Sequence, residues 1–198
     1  MDLSNIGLIA GAYLLGAIPF GYLAGRLAGV DVRKAGSGNI GATNVLRTVG
    51  RGPAAATLLL DILKGFLPVW LARRPWALPP AWVAAIALAV VAGHVFSPFL
   101  KFRGGKGVAT AVGVLLGISP PAALAAVAVF GLVFGLGRIV SLASLAAAVL
   151  LPFLLGLLAP EPAYAIFGGL VGALVVLRHR ANLDRLLSRS EPRTQWKK

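Results

Sequence analysis

Lys101-Phe102-Arg103-Gly104-Gly105-Lys106-Gly107-Val108-Ala109-Thr110-Ala111-Val112-Gly113-Val114-Leu115-Leu116-Gly117-Ile118-Ser119-Pro120-Pro121 is the stretch on which the fold turns. It opens with three cations among glycines, runs apolar over 107–118, and stops at a Ser-Pro-Pro turn signal. As a helix, 107–118 rises only about 18 Å, short of the roughly 30 Å hydrocarbon core of a bilayer. It is therefore either a short span of its own or one half of an interrupted helix continuing past Pro120-Pro121.

Working outward, the other long apolar runs fall near 5–28, 53–72, 81–100, 120–136, 139–159 and 162–178. They are rich in Ala, Leu, Val and Gly, and small residues such as Gly168, Gly169 and Gly172 suit close helix packing. Turn signals at Leu78-Pro79-Pro80 and Pro160-Glu161-Pro162 separate them. Charge decides how 107–118 is counted. With seven spans, one side collects Arg26, Arg33, Lys34, Arg47, Arg51, Lys101, Arg103, Lys106, Arg138 and the tail cations Arg178, Arg180, Arg185, Arg189, Arg193, Lys197 and Lys198. The other side keeps Arg73 and Arg74. Six spans would strand the tail opposite the other basic loops. The positive-inside rule thus predicts an all-α polytopic membrane protein with seven transmembrane helices, the N-terminus outside and the C-terminus cytoplasmic. A short fourth span then requires the Gly104–Gly107 loop to dip below the surface, which irregular backbone tolerates only under a protein or polar cover.

Composition agrees. Of 198 residues, 58% are hydrophobic and 13% charged, about half the charge of an ordinary soluble domain. The length predicts one transmembrane domain over 1–198, with no internal repeat of the transporter kind. Met1-Asp2-Leu3-Ser4-Asn5 lacks the basic n-region of a signal peptide, so the first apolar run reads as a retained span. The chain has no cysteine, which removes disulfides, thiolate nucleophiles and sulfur metal sites. Two histidines and six carboxylates make a dedicated metal cage an unpromising reading. A net charge of +13 would point a soluble protein towards nucleic acid; in this chain it reads as topology and attraction to anionic lipid headgroups.

Three polar segments, all on the side predicted to be cytoplasmic, carry chemistry. Gly36-Ser37-Gly38-Asn39-Ile40-Gly41 has the form G-x-G-x-x-G, but no strand pattern precedes it, so the dinucleotide reading is rejected. Small residues there let backbone N–H groups approach an anion, with Ser37, Thr43 and Asn44 as short donors and Arg47 as a guanidinium fork. On composition alone an ordinary flexible loop reads equally well. The second segment, Gly93-His94 to Thr110, contains Gly104-Gly105-Lys106-Gly107 opening a helix. It is not a Walker A loop, since glycine follows Lys106 and Leu100 stands at the first glycine. Free N–H groups beside an ammonium nevertheless suit a phosphate or oxyanion. Lys101 and Arg103 read equally as anchors, and His94 as a hydrogen-bonded structural residue.

In the third segment, Arg178 to Leu187, His179 is placed to orient or deprotonate a hydroxyl, with Asn182 one turn away on the same face. Asp184 follows His179 as His-x4-Asp, but on a continuous helix side chains five apart diverge by about 140°, so that match is treated as chance. A basic helix lying on the membrane surface is the competing reading of the segment. Finally, Asp61 and Lys64 share one face within the second span, where ionisable groups face a cavity or each other.

Taken together, Gly36-Ser37-Gly38-Asn39 through Thr43-Asn44-Val45-Leu46-Arg47, Gly93-His94 through Gly104-Gly105-Lys106-Gly107-Val108-Ala109-Thr110, His179-Arg180-x-Asn182 and Asp61-x-x-Lys64-Gly65 resemble the bacterial acyl-phosphate-dependent glycerol-3-phosphate acyltransferases, PlsY-type membrane enzymes. Order, spacing and length agree from end to end. The resemblance implies a seven-span fold in the bacterial inner membrane, with its active site on the cytoplasmic side. It implies transfer of an acyl group from acyl phosphate to the sn-1 hydroxyl of glycerol 3-phosphate, giving lysophosphatidic acid in the first acylation of phospholipid synthesis. Neither acyl-CoA, a cofactor nor a metal is implied, nor nucleic acid or an obligatory protein partner; the partners are the two substrates and membrane lipid. By resemblance the catalytic residues are Ser37, Arg47, Lys106, His179 and Asn182. Substrate binding would involve Thr43, Asn44, Gly104, Gly105, Gly107, Asp61, Lys64 and Glu191. Leu183 departs from the isoleucine often found there, and Arg189 from a common glycine.

The physics suits that reaction. Acyl phosphate is already activated, and the chain shows no Ser-His-Asp set or cysteine for a covalent intermediate. Two anions must be held together against their repulsion, and cations with backbone N–H groups do that. Two other readings are a small phosphate-ester transporter and a structural protein that binds anionic lipid through basic loops.

Overall fold

The computed structural model describes residues 3–194, so Met1, Asp2 and the tail from Gln195, including Lys197 and Lys198, lie outside the described residues. The described residues are helical, with no strand among them. In chain order the helices are α1 (Leu3–Ala17), α2 (Phe20–Leu27), α3 (Ala42–Thr48), α4 (Arg51–Arg73), α5 (Pro80–Val95), a 3-10 turn (Pro98–Leu100), α6 (Val108–Ile118), α7 (Pro120–Gly137), α8 (Val140–Leu158), α9 (Pro162–Arg178) and α10 (Arg180–Leu187). The chain divides into two compact units, one up to residue 117 and one from residue 118 on.

Among the described residues, five helical stretches are long and apolar enough to cross a membrane: Ile6–Leu27, Arg51–Arg73, Pro80–Leu100, Pro120–Gly137 and Val140–Leu158. A sixth is gained if Pro162–Arg178 and Arg180–Leu187, bent by 62°, count as one span. Val108–Ile118 stays short, at 11 residues. The chain is a multi-pass helical membrane protein.

Three expectations about boundaries change. The run 5–28 is not one helix but α1 and α2, separated at Ile18-Pro19. Proline has no N–H to give and its ring crowds the carbonyl four residues back, so the ladder stops there. The run 81–100 ends as α5 at Val95 and closes with the 3-10 turn. The stretch 29–52, read as loop, contains the seven-residue α3 and the start of α4.

In the first unit α1 packs on α5, and α4 on α2, α3 and α5. Glycines set the approach. A Cβ on Gly16 would overlap the Val90 carbonyl and one on Gly93 the Tyr13 carbonyl, so α1 and α5 meet backbone to backbone. Gly65 against Thr110, and Gly113 against Ile62, bring α4 and α6 together in the same way.

In the second unit α7 and α9 both pack on α8. Proline pairs start α7, and Ser119 Oγ accepts the Ala122 N–H at 3.3 Å as its cap. Inside α8, Pro152 leaves the Ala148 carbonyl without its helical partner, and the Gly172 backbone of α9 lies against that oxygen. Beside this crossing an apolar groove of about 390 Å³ is lined by Val149, Gly169, Ala173 and Leu177 among others.

Candidate active-site residues

The break at Pro19 shapes the first unit's polar interior. It frees the Ala17 carbonyl and leaves that of Ile18 to the Phe20 N–H at 3.2 Å, and each takes a side chain as well. Ser97 Oγ donates to Ala17 O at 2.6 Å, and Lys64 Nζ donates to Ile18 O at 2.8 Å. Lys64 also forms an ion pair with Asp61 Oδ1 at 2.7 Å, with Phe20 lying 5.4 Å beneath its ammonium. His94 Nδ1 lies 3.6 Å from the same carboxylate oxygen. Asp61, Lys64 and His94 are all buried, so the sequence pair is really a trio.

His94 leads directly to the glycine-rich loop. Gly104 N–H donates to Val95 O at 3.0 Å and Gly105 N–H to His94 O at 3.1 Å, so these two N–H groups, expected to be free for an anion, are instead spent on the end of α5. A Cβ on Gly104 would overlap the His94 carbonyl, and one on Gly105 would overlap the imidazole at Nε2. Only glycine lets the backbone lie this close. Gly104, Gly105 and Gly107 are buried and Lys106 is half-buried, while Lys101 and Arg103 are exposed. Gly107 takes a φ of +85° as the chain turns into α6.

The Ser37 loop is organised by Asn44, which is buried in the first turn of α3. Its Nδ2 donates to the carbonyls of Val32 and Asn39, both at 2.8 Å, and Ala35 at 3.1 Å. Its Oδ1 accepts the Ser37 N–H at 2.8 Å. One amide thus ties down four points of the loop. Ser37 stands exposed between Gly36 and Gly38, which have φ of +58° and +71°. Thr43 is half-buried, and Arg47 is exposed in the last turn of α3.

Arg33, a neighbouring cation, is differently employed. Its Nε and Nη2 hold Asp31 at 2.9 and 2.7 Å, and its guanidinium lies 4.4 Å from the Tyr22 ring centre. The Arg33 hydrogen bond holds the Asp31 carboxyl down to about 2.

In the second unit α9 ends at His179, which also starts α10. His179 is buried, with Nδ1 2.8 Å from the Val175 carbonyl. A carbonyl only accepts, so Nδ1 carries the proton and Nε2 is the basic nitrogen of the neutral ring. Asn182 sits in the first turn of α10, its N–H bonded to His179 O at 2.8 Å. Asp184 is exposed, so the His-x4-Asp spacing makes no dyad.

Glu191 holds the tail onto this corner. Its Oε1 accepts from Ser141 Oγ at 2.7 Å and Asn182 Nδ2 at 2.5 Å, and its Oε2 accepts from Arg185 Nε at 2.6 Å. Burial pushes this carboxyl up, but the hydrogen bonds from Ser141, Asn182 and Arg185 outweigh it and hold it below its ordinary value. The Thr194 N–H on Arg138 O, at 2.8 Å, pins the tail a second time. Ser141, a hydroxyl within an apolar span, carries no signal of its own in the sequence.

Fold and site residues define a class: a polytopic helical membrane protein whose polar loops hold small residues and cations on ordered backbone. A family model described as glycerol-3-phosphate acyltransferase matches residues 6–189. A glycerol-3-phosphate acyltransferase of Geotalea daltonii is 52% identical over 95% of this chain and 96% of its own length. One from Gloeobacter violaceus is 49% identical over 95% and 94%. Among solved structures, the glycerol 3-phosphate form of PlsY (YgiH), an integral membrane glycerol 3-phosphate acyltransferase, superposes with a TM-score of 0.93. It is 41% identical and covers 97% of this chain and 96% of that one. Its lysophosphatidic acid form gives a TM-score of 0.90 at 40% identity. The chain belongs to the glycerol-3-phosphate acyltransferase family, PlsY type.

Proposed function

We propose that this protein transfers a fatty acyl group from acyl phosphate to the sn-1 hydroxyl of glycerol 3-phosphate, releasing lysophosphatidic acid and inorganic phosphate. The observation that carries the reading is the near-complete match to a PlsY recorded in both a glycerol 3-phosphate and a lysophosphatidic acid form, an acceptor and its mono-acylated product. Acyl phosphate as donor rests on the motif resemblance. In the reaction the hydroxyl oxygen bonds to the acyl carbon, the bond from that carbon to the phosphate oxygen breaks, and the hydroxyl proton leaves with the phosphate.

The residues proposed to carry this are Ser37, Arg47, Lys106, His179 and Asn182, with Thr43, Gly104, Gly105 and Gly107 against substrate. Arg47 and Lys106 balance anionic charge, and the backbone at Gly104–Gly107 lines the donor. His179 orients the acceptor hydroxyl through Nε2, since Nδ1 is held by Val175 O. The proton goes to the leaving phosphate by substrate assistance. Holding two reactants in line supplies up to roughly 7–11 kcal/mol in favourable cases, so no covalent acyl-enzyme is needed. Asn44, Asp61, Lys64 and Glu191 are placed as positioning groups, because their polar atoms are taken up within the protein.

The same reading takes 1–198 as one domain of seven spans in a bacterial inner membrane, N-terminus outside, C-terminus and active site cytoplasmic. Its partners are then the two substrates and membrane lipid, without cofactor, nucleic acid or obligatory protein. Purified protein in liposomes, given glycerol 3-phosphate with acyl phosphate or with acyl-CoA, should make lysophosphatidic acid from acyl phosphate alone. Product from neither donor would overturn the activity, and product from acyl-CoA the donor.

A further inference from the structure

Buried ionisable groups in a membrane span are expensive, and a structural ion pair needs only two of them. Here a third group joins, His94 from α5, placed on the Asp61 carboxylate and in contact with the glycine-rich loop through both its ring and its carbonyl. The corner that carries His94 is bolted at other points. Tyr13 OH donates to Phe96 O at 2.6 Å, Ser97 Oγ to Ala17 O, and Phe102 N–H to Ser97 O at 2.8 Å. The loop thus rests on α1 through Ser97 and Tyr13, and on α4 through His94 and Asp61. Asp61 is in turn fixed by Lys64, which the broken α1 holds at Ile18 O.

We infer that His94 is a positioning residue for Lys106: the imidazole, seated on Asp61–Lys64, is the platform against which Gly104 and Gly105 pack, and it fixes where the Lys106 backbone stands. The inference rests on the role proposed above for Lys106. His94 acts through the loop and touches no substrate.

A double-mutant cycle tests it. Wild type, His94→Asn, Lys106→Arg and the double variant are reconstituted, and kcat and KM for glycerol 3-phosphate are measured. Asn keeps a donor towards Asp61 but removes the ring edge beneath Gly105. His94→Asn should raise KM about 10-fold with kcat changed less than about 3-fold, and the double variant should match the worse single variant. Effects that multiply, or an unchanged KM, would overturn the inference. If His94→Asn fails to fold, His94→Gln takes its place in the cycle.

If wild type shows no turnover, the proposed function has failed and the inference is read by amine labelling. In that arm the labelling rate of Lys106, followed by mass spectrometry, should change in His94→Asn while exposed Lys101 in the same loop keeps its rate. An unchanged Lys106 rate would overturn it.

Discussion

Glu191 and Asn182, nine residues apart, meet at 2.5 Å, and the same carboxylate holds Ser141 and Arg185. The side chain that fixes Asn182 is therefore supplied by the tail. Glu191→Ala should release three donors at once, each bond to a charged group being worth about 1.5–3 kcal/mol. Activity is expected to fall at least about 10-fold, and limited proteolysis should cut after Arg185 or Arg189 much faster than in wild type. Equal protease resistance would show that the tail is held by something else.

The pH dependence of that clamp has a definite sign. The folded protein holds the Glu191 carboxyl below its ordinary value of 4.5, so the contribution is complete above that value and is lost as pH falls through the lower folded one. Melting temperature in detergent, followed from pH 6 down to about pH 3, should drop more steeply for wild type than for Glu191→Gln. Parallel curves would count against the clamp.

The buried pair on α4 should behave asymmetrically. Lys64→Met leaves Asp61 charged without its partner, and the Ile18 carbonyl keeps the Phe20 N–H but loses the ammonium, a loss of about 3–5 kcal/mol in a membrane interior. Asp61→Asn with Lys64→Met should recover part of it, because no uncompensated charge remains. Thermal unfolding in one detergent measures both. A double variant less stable than Lys64→Met would contradict the pairing.

How far such features are legible in sequence depends on their range. Proline pairs starting α5 and α7, and the 11 residues of α6, are local, so span positions and the shortness of α6 could be read directly. Pro19 was equally local, yet the aliphatic run around it hides the break, because hydropathy measures solvent preference and not hydrogen-bond continuity. Asn44 could be named as polar, but its four-way tie is a matter of counting donors against carbonyls that only coordinates place. Ser141 meets Glu191 across fifty positions and gave no signal at all. For His179 the helix breaks at the residue itself, which leaves Asp184 on the exposed side of α10.

Gly113 and Gly131 should respond differently to alanine. Gly113→Ala drives a methyl into the Ile62 carbonyl and Phe66 N–H, so α4 and α6 must separate, at a cost of about 1–3 kcal/mol. Gly131→Ala meets nothing within 4 Å and should leave the melting temperature level or slightly raised. Two variants of equal stability would disprove the close packing of α4 on α6.

Arg33 and Arg47 offer the sharpest separation of anchoring from chemistry, since both are exposed cations flanking the Ser37 loop. The Arg33 guanidinium is spent on Asp31 and Tyr22, so Arg33→Ala loosens residues 31–33 and should lower activity by no more than a few-fold. Arg47 stands on the rigid α3, behind Asn44, where a fork can meet a phosphate in two places. Arg47→Ala should cost at least about 100-fold in kcat/KM, two tenfold steps of about 1.4 kcal/mol each, with the melting temperature unchanged. Arg47→Lys keeps the charge but not the fork, and should recover only a small part of the loss. If lysine restored full activity, Arg47 would be acting through charge alone, and two-point recognition of phosphate at α3 would have to be given up.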